Sequence, residues 1–553
     1  MRKEYAFPKI EKLVSSLVNS FLSDLNISEF PEVVIEIPKE RTNGDLSTNA
    51  AFRLASSLRK KPKDIAEQLA SFCKSKLSQF KLDSIIEDTK VAQGGFVNFY
   101  LKDSFFHNML AGIIKEGDAF TGLDVGKGKK VLLEFVSANP TGPLSIAHAR
   151  QAAVGDSLSK ILKAMGFDVA SEYYNNDEGN QINILGESVE LRYRQLKGEK
   201  AEFPEDCYQG YYIVSLAKEI LDKNTNIDKS GYFCDFALDK ITSIIKNELK
   251  DFGVEFDVWY SQKKLHASDK IDKSLELLRK KGFIYDSEGA SWFKSTAFGD
   301  DKDRVVVKSD KSYTYLAPDI AYHKDKFERG FQWLINIWGP DHHGYVPRIK
   351  AVIQALGHDE EALSVIIVQL AAIYRDGKTV SMSTRKGQYI TLREVLDEVG
   401  RDAARFFLLM RRTDSHLDFD LELAKKQSPE NPVYYIQYAH ARICSILEKA
   451  KEIKADFKNA DLSLLKEEEE KELLRLIFQA PYILEVCFRQ LDPYQITTYL
   501  QSLATGFHRF YDKHKVLGAD KNLTLARIAL INCLKIVFAG GLSLLGISRP
   551  EKM

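Results

Sequence analysis

The segment VLLEFVSANPTGPLSIAHARQAAVGDSLSKILKAMG, residues 131–166, constrains the fold more than any other part of the chain. The apolar run VLLEF predicts a strand, NPTGP a loop, and IAHARQAAVGDSLSKILKAMG a helix with apolar spacing near 3.6. A strand, a short loop and a helix in this order open an α/β domain. Such sheets hold ligands at the carboxyl ends of their strands, where a helix start offers free backbone N–H groups and a positive dipole end to phosphate. His148 falls in the first helical turn and is placed to add a side-chain donor there. A merely buried strand needs neither Glu134, nor an Asn-Pro turn, nor Gly142.

With 553 residues the chain exceeds one hydrophobic core. Residues 1–115 alternate amphipathic helices (DIAEQLASFCKSKL) with short strands (EVVIEIP, GGFVNFYL), which predicts a small α+β domain. A glycine-rich, charged linker spans 116–129. Residues 130–427 mix the apolar runs VLLEF, DRVVVK, QWLINIWG and LSVIIVQLA with long helical patterns, the sign of a parallel sheet with inserted helices. From 428 to 553 helical periodicity is nearly continuous and predicts an all-α bundle. Within it, KEEEEKE reads as a solvated helix start, and IALINCLKIVFAGGLSLLGI as a buried core helix. Asn532, Lys535 and the Gly540-Gly541 break disfavour a bilayer span there, so no membrane partner is expected.

Lys plus Arg and Asp plus Glu number 78 each, so no net charge draws the chain to nucleic acid, and any RNA partner must be met by shape and local patches. Six scattered cysteines without a CxxC pair read as reduced, buried apolar residues of a cytoplasmic protein, and disfavour a zinc site. The charged start MRKEYAFPKIEKLV predicts no secretion signal.

Four segments of the middle region carry more polar residues than a core requires. The first is Glu134 to Arg150. In YTYLAPDIAYHKDK, Tyr315 and Asp319 sit four apart, on one face if helical. INIWGPDHHGYVPR ends an apolar strand in Gly339, Asp341, His342 and His343; adjacent histidines point apart and lack a third ligand at a familiar spacing, so no bound metal is expected. RDGKTVSMSTRKGQYITL crowds Arg375, Lys378, Arg385 and Lys386 with hydroxyls. A helix start, strand-end acids and a basic loop together describe a nucleotide site suited to displacement at phosphorus.

SANPTGPLSIAHAR resembles the extended HIGH segment of class I aminoacyl-tRNA synthetases of the arginyl type, SMSTRKG the KMSKS loop, and GPDHHGY the strand-end segment between them. NPVYYIQYAHARICSI is similar to the start of that family's anticodon-binding helices. The resemblance implies a Rossmann-type catalytic domain between an N-terminal domain that meets the tRNA D-loop and a helical domain that meets the anticodon. It implies arginine–tRNA ligation with ATP, magnesium arriving as the ATP complex, tRNA(Arg) and L-arginine as partners, and a monomer. By match to the family, Glu134 and Asp319 hold the guanidinium with Tyr315, and Ser137 and Asn139 hold the amino-acid backbone. Pro140, Thr141, Gly142, Ser145, Ala147, His148, Gly339, Asp341, His342, Met382 and Ser383 line the ATP site. His148, Ser145, Thr384, Arg385 and Lys386 serve catalysis, and Phe96, Asn98, Tyr434, Tyr438 and Arg442 face tRNA.

The sequence departs from that pattern. Ser145 replaces the first histidine of HIGH and Ala147 its glycine; Ser381 and Thr384 replace the two KMSKS lysines; and the position of an upstream lysine common in the family is Thr141. Losing one charge-assisted donor costs about 1.5–3 kcal/mol, which predicts a slower enzyme. The alternative is a tRNA-binding protein with a decayed synthetase site.

Overall fold

The apolar runs of the middle region lie side by side in a computed structural model of the protein. It describes all residues except 1–6, 26, 28–31, 39, 118–123, 224–230, 376, 380–388, 453–455 and 519. Strands β1 (Lys130–Glu134), β2 (Asp168–Asn175), β3 (Val258–Ser261), β4 (Trp333–Trp338) and β5 (Leu363–Ile367) form one parallel sheet in the order β5-β4-β1-β2-β3. Parallel neighbours cannot be joined by hairpins, so helices cross between them and cover the sheet. Strand order reverses direction between β1 and β4, where doubly wound sheets open a crevice. Glu134 ends β1 beside that crevice, opposite Asn336 of β4 and Glu172 of β2. One row of polar side chains, Asn336, Glu134 and Glu172, therefore spans the three central strands.

Helix α1 (Ile146–Ala164) follows β1. Its approach is set by Gly155, where any Cβ would lie 2.3 Å from the Phe135 ring. Helix α2 (Leu316–Glu328) lies on the polar row. Helix α3 (Leu392–Leu409) starts at a Thr391–Glu394 capping box just past residues 380–388.

The N-terminal part is an antiparallel sheet of Leu46–Thr48, Val97–Leu101 and Ile86–Val91 packed with helices. The C-terminal part is a bundle of α4 (Pro432–Glu452), α5 (Glu468–Gln490), α6 (Tyr494–Lys513) and α7 (Lys521–Leu544). The N-terminal part docks on α5 through Phe7 against Tyr482, with ring centroids 4.5 Å apart, and through Arg475 Nε on Asp45 at 2.7 Å. The apolar helix α7 is packed inside the bundle, as its interrupted composition predicts.

Three expectations need correction. EVVIEIP forms only an isolated bridge between Glu36 and Ser47, because its partner strand is three residues long. RVVVK joins not the central sheet but an antiparallel one with Ile284–Ser287 and Ala290–Phe293. The short connections inside that sheet permit only antiparallel pairing. In the acidic run, Glu470 is fully buried rather than solvated, paired at 2.7 Å with the buried Arg527.

Candidate active site

Past Glu134 the chain turns sharply. Val136 and Ser137 take φ values of 67° and 40°, a region that a β-branched residue enters only under constraint, at about 1–3 kcal/mol each. Phe135 is buried against Phe256, and the turn leaves Ser137 facing the crevice with its hydroxyl donating to Glu134 Oε1 at 3.1 Å and accepting from the Tyr174 N–H. Asn139 is exposed, and its amide donates to Gln181 at 2.7 Å.

The following loop is held from two sides. Tyr212 donates to the Thr141 carbonyl at 2.7 Å and Tyr389 to the Pro143 carbonyl at 2.9 Å. Between them a Cβ on Gly142 would sit 3.0 Å from one phenol oxygen and 3.3 Å from the other, so only glycine passes without displacing them. Leu392 N–H donates to the Leu144 carbonyl at 2.7 Å, which ties the start of α3 to the same loop. A cavity of about 740 Å³ opens beside it, lined by Asn139, Thr141, Gly142, His148, Gln181 and Tyr212 among others.

Ser145 caps α1. Its backbone N–H donates to His148 Nδ1 at 3.2 Å, so that nitrogen is the acceptor and Nε2 carries the ring proton. Burial pulls the His148 pKa down to about 4, which makes the ring a neutral donor, as its place in the first turn suggests.

On the other side of the crevice, α2 presents Asp319, His323 and Lys326 to the polar row. Asp319 accepts a hydrogen bond from the Tyr345 hydroxyl; burial nevertheless raises its carboxyl to about 6, with the negative charge of Glu134 adding to the rise. The fully buried Lys326 donates to Glu134 Oε2 at 2.5 Å and to Asn336 Oδ1 at 3.2 Å. Burial raises the Glu134 carboxyl, but the Lys326 charge and hydrogen bond outweigh it and hold the group below the usual glutamate range. His323 bridges Asp319 O and Asn336, and burial together with Lys326 drives its pKa down to about 3. Glu172 closes the row, bonded by Tyr322 at 2.6 Å and by Arg329 at 2.6 and 3.0 Å.

The crevice thus brings together Glu134, Ser137 and Asp319 on one side and Pro140, Thr141, Gly142, Ser145, Ala147 and His148 on the other. Gly339 follows β4, where a Cβ would come within 2.6 Å of Asp341 Oδ1. Asp341 and His342 are exposed, and Tyr315, at the N-cap of α2, is 86% exposed to solvent. Met382, Ser383, Thr384, Arg385 and Lys386 lie outside the described residues. Phe96 is 39% exposed, whereas Asn98 is buried with its Oδ1 accepting from the Ser47 hydroxyl, so of this pair Phe96 is the residue open to a base. Tyr434 and Tyr438 stack with centroids 6.3 Å apart, and Arg442 lies over Tyr438 and Tyr511.

Family models agree with this arrangement. The arginyl-tRNA synthetase N-terminal domain matches residues 10–101, the class I tRNA synthetase (R) catalytic domain 110–422, and the DALR anticodon-binding domain 436–553. The arginine–tRNA ligase of Citrifermentans bemidjiense is 48% identical over 539 residues, 96% of each chain. The chain belongs to the arginyl-tRNA synthetases. The Bacillus licheniformis ligase is 47% identical over 95% of each chain. A solved Campylobacter jejuni arginyl-tRNA synthetase is 38% identical over 82% of this chain and all of its own, with TM-score 0.75. The Thermus thermophilus arginyl-tRNA synthetase shares the fold over 98% of this chain and all of its own, at TM-score 0.77 and 20% identity.

Arginine–tRNA ligation is the activity of this synthetase family, and nothing in these comparisons favours a decayed site. Sequence reasoning missed Lys326, His323, Asn336, Tyr345, Tyr212 and Tyr389. The first two had a signal: Asp319, His323 and Lys326 recur at i, i+4 and i+7, a polar stripe on the face that an α/β helix usually turns to its sheet.

Proposed function

We propose that the crevice between β1 and β4 activates L-arginine with ATP and that the product is passed to tRNA(Arg). In the first step the arginine carboxylate attacks the α-phosphorus of ATP, forming a mixed anhydride with AMP and releasing pyrophosphate. A ribose hydroxyl of the terminal tRNA adenosine then attacks the arginyl carbonyl, and AMP leaves. Neither step needs a covalent protein nucleophile, because positioning and charge stabilisation suffice.

The observation that carries the reading is the meeting of a half-buried carboxylate, Asp319, with a strained strand end and a helix start whose neutral His148 can donate from Nε2. Asp319 meets the guanidinium, within a pocket formed with Glu134 and Tyr315, while Ser137 and Asn139 orient the amino acid. The Thr141–Ala147 backbone, His148, Gly339, Asp341 and His342 receive ATP with its magnesium, joined by Met382, Ser383, Thr384, Arg385 and Lys386. A planar fork of donors suits carboxylate better than the point charge of lysine, which accounts for selection against lysine.

Phe96 stacks on a D-loop base. The Tyr434–Tyr438 stack and Arg442, beside a cavity of about 460 Å³ that also includes Tyr511 and Lys552, receive the anticodon side. The synthetase acts as a cytoplasmic monomer whose D-loop, catalytic and anticodon functions divide at residues 1–115, 130–427 and 428–553. Replacing Asp319 by alanine should raise the arginine KM by about 10² or more, as expected when a buried guanidinium loses its partner. An unchanged KM in both Asp319→Ala and Glu134→Ala overturns the assignment.

A further inference from the structure

Each oxygen of Glu134 already accepts a hydrogen bond from the protein. Oε1 accepts from Ser137 and Oε2 from Lys326, whose ammonium is fully buried, bonded also to Asn336 and 4.2 Å from the Tyr322 ring centroid. A buried ammonium is tolerated only with a partner, and here the partner is the carboxylate that the sequence assigns to substrate. Asp319, two turns earlier on α2, is the other carboxylate of the pocket and accepts from the Tyr345 hydroxyl. With Glu134 and Asp319 ionised and Lys326 protonated, these three groups carry one net negative charge, enough to match one guanidinium.

Resting on the reading above, we propose that Lys326 is a positioning and specificity-determining residue: it holds Glu134 and cancels its charge, leaving the Asp319 carboxylate as the charge that selects a cationic side chain. Without Lys326, the buried Glu134 and half-buried Asp319 carboxylates would share the pocket with no cation between them, which disfavours ionising both near neutrality.

The groups facing Asp319 are Tyr345 and Arg348 beyond β4, Glu134 on β1, Tyr174 on β2, and His323 and Lys326 on its own helix. With Asp319 titrating at about 6, kcat/KM for arginine rises with pH through about 6 and levels above it, because the cation binds the ionised form.

The test is tRNA charging with arginine as the varied substrate, between about pH 5 and pH 8.5, for the full-length wild type, Lys326→Met, the double variant Lys326→Met with Glu134→Gln, and Asp319→Asn. Lys326→Met is expected to lower kcat/KM for arginine at least about tenfold at neutral pH and to move the midpoint upward by about one unit, a tenfold change in proton affinity. The double variant, which restores the charge count with a neutral pair, brings the midpoint back toward about 6 and recovers much of the loss. A residue with a merely structural role would not move the midpoint and return it. If Lys326→Met does not fold, the double variant alone decides: a midpoint near that of wild type supports the proposal, and loss of arginine use overturns it. An unmoved midpoint in folded Lys326→Met also overturns it. Asp319→Asn separates the two ideas: if arginine KM is unchanged there, the assignment of the arginine pocket falls, whereas a raised KM beside an unmoved Lys326→Met profile removes the role of Lys326 alone.

Discussion

His148 shows how one backbone hydrogen bond fixes the chemistry of a side chain. Because the Ser145 N–H occupies Nδ1 and burial lowers the pKa to about 4, the ring is neutral and carries its proton on Nε2, free to be offered as a donor, above about pH 5. Removing such a preorganised donor should cost about 10²–10³ in kcat, so His148→Ala is expected to lose turnover at nearly constant arginine KM. The wild-type profile should show no limb from His148 above about pH 5. Ser145→Ala should destabilise the start of α1 by about 0.5–2 kcal/mol in chemical unfolding. At this scale the sequence was legible where polarity is unexpected: Glu134 stood out by directly following the apolar run VLL. Lys326 did not, because lysine is ordinarily a surface residue and only the register of β1 with β4 shows what it meets. Nor does the sequence tell that Asn98, an amide on a short strand, turns inward to Ser47.

Between elements, two phenols from distant parts of the chain hold one loop. Tyr212 belongs to the helix Tyr211–Asp222, inserted between β2 and β3, while Tyr389 directly follows residues 380–388 and precedes α3. Each hydrogen bond contributes about 0.5–1.5 kcal/mol, so Tyr212→Phe and Tyr389→Phe should each slow turnover several-fold while sparing arginine KM. Because both act through the Thr141–Pro143 backbone, the double variant should depart from additivity in a double-mutant cycle. Strictly additive effects would mean that the two contacts are independent. The strand–loop–helix unit was readable from periodicity because one apolar run meets one helical pattern across a glycine-containing loop. RVVVK was not placed correctly, since four apolar residues fit any sheet and only the connections around them choose one.

For the whole molecule, the α1 helix is fastened to the bundle through one turn. The buried Arg150 donates to the carbonyls of Gln369, Ser415 and Arg412 at 2.7, 2.9 and 2.8 Å, and Thr413 in that turn bonds Asp492 between α5 and α6. Arg150→Met leaves those carbonyls without this partner at about 1–3 kcal/mol for each buried acceptor, so a clear drop in Tm is expected. The three-part order of the chain was visible in its change from mixed to purely helical periodicity. Its docking was not, because Arg150, Arg475 and Arg405 meet their partners at separations of 219, 430 and 140 residues. The most direct test of the account is transfer of arginine to tRNA(Arg) by the full-length chain with ATP and magnesium, beside a lysine control. Turnover with arginine and not with lysine, lost in Asp319→Asn, is the predicted result; folded protein that binds tRNA(Arg) yet transfers no arginine would contradict it.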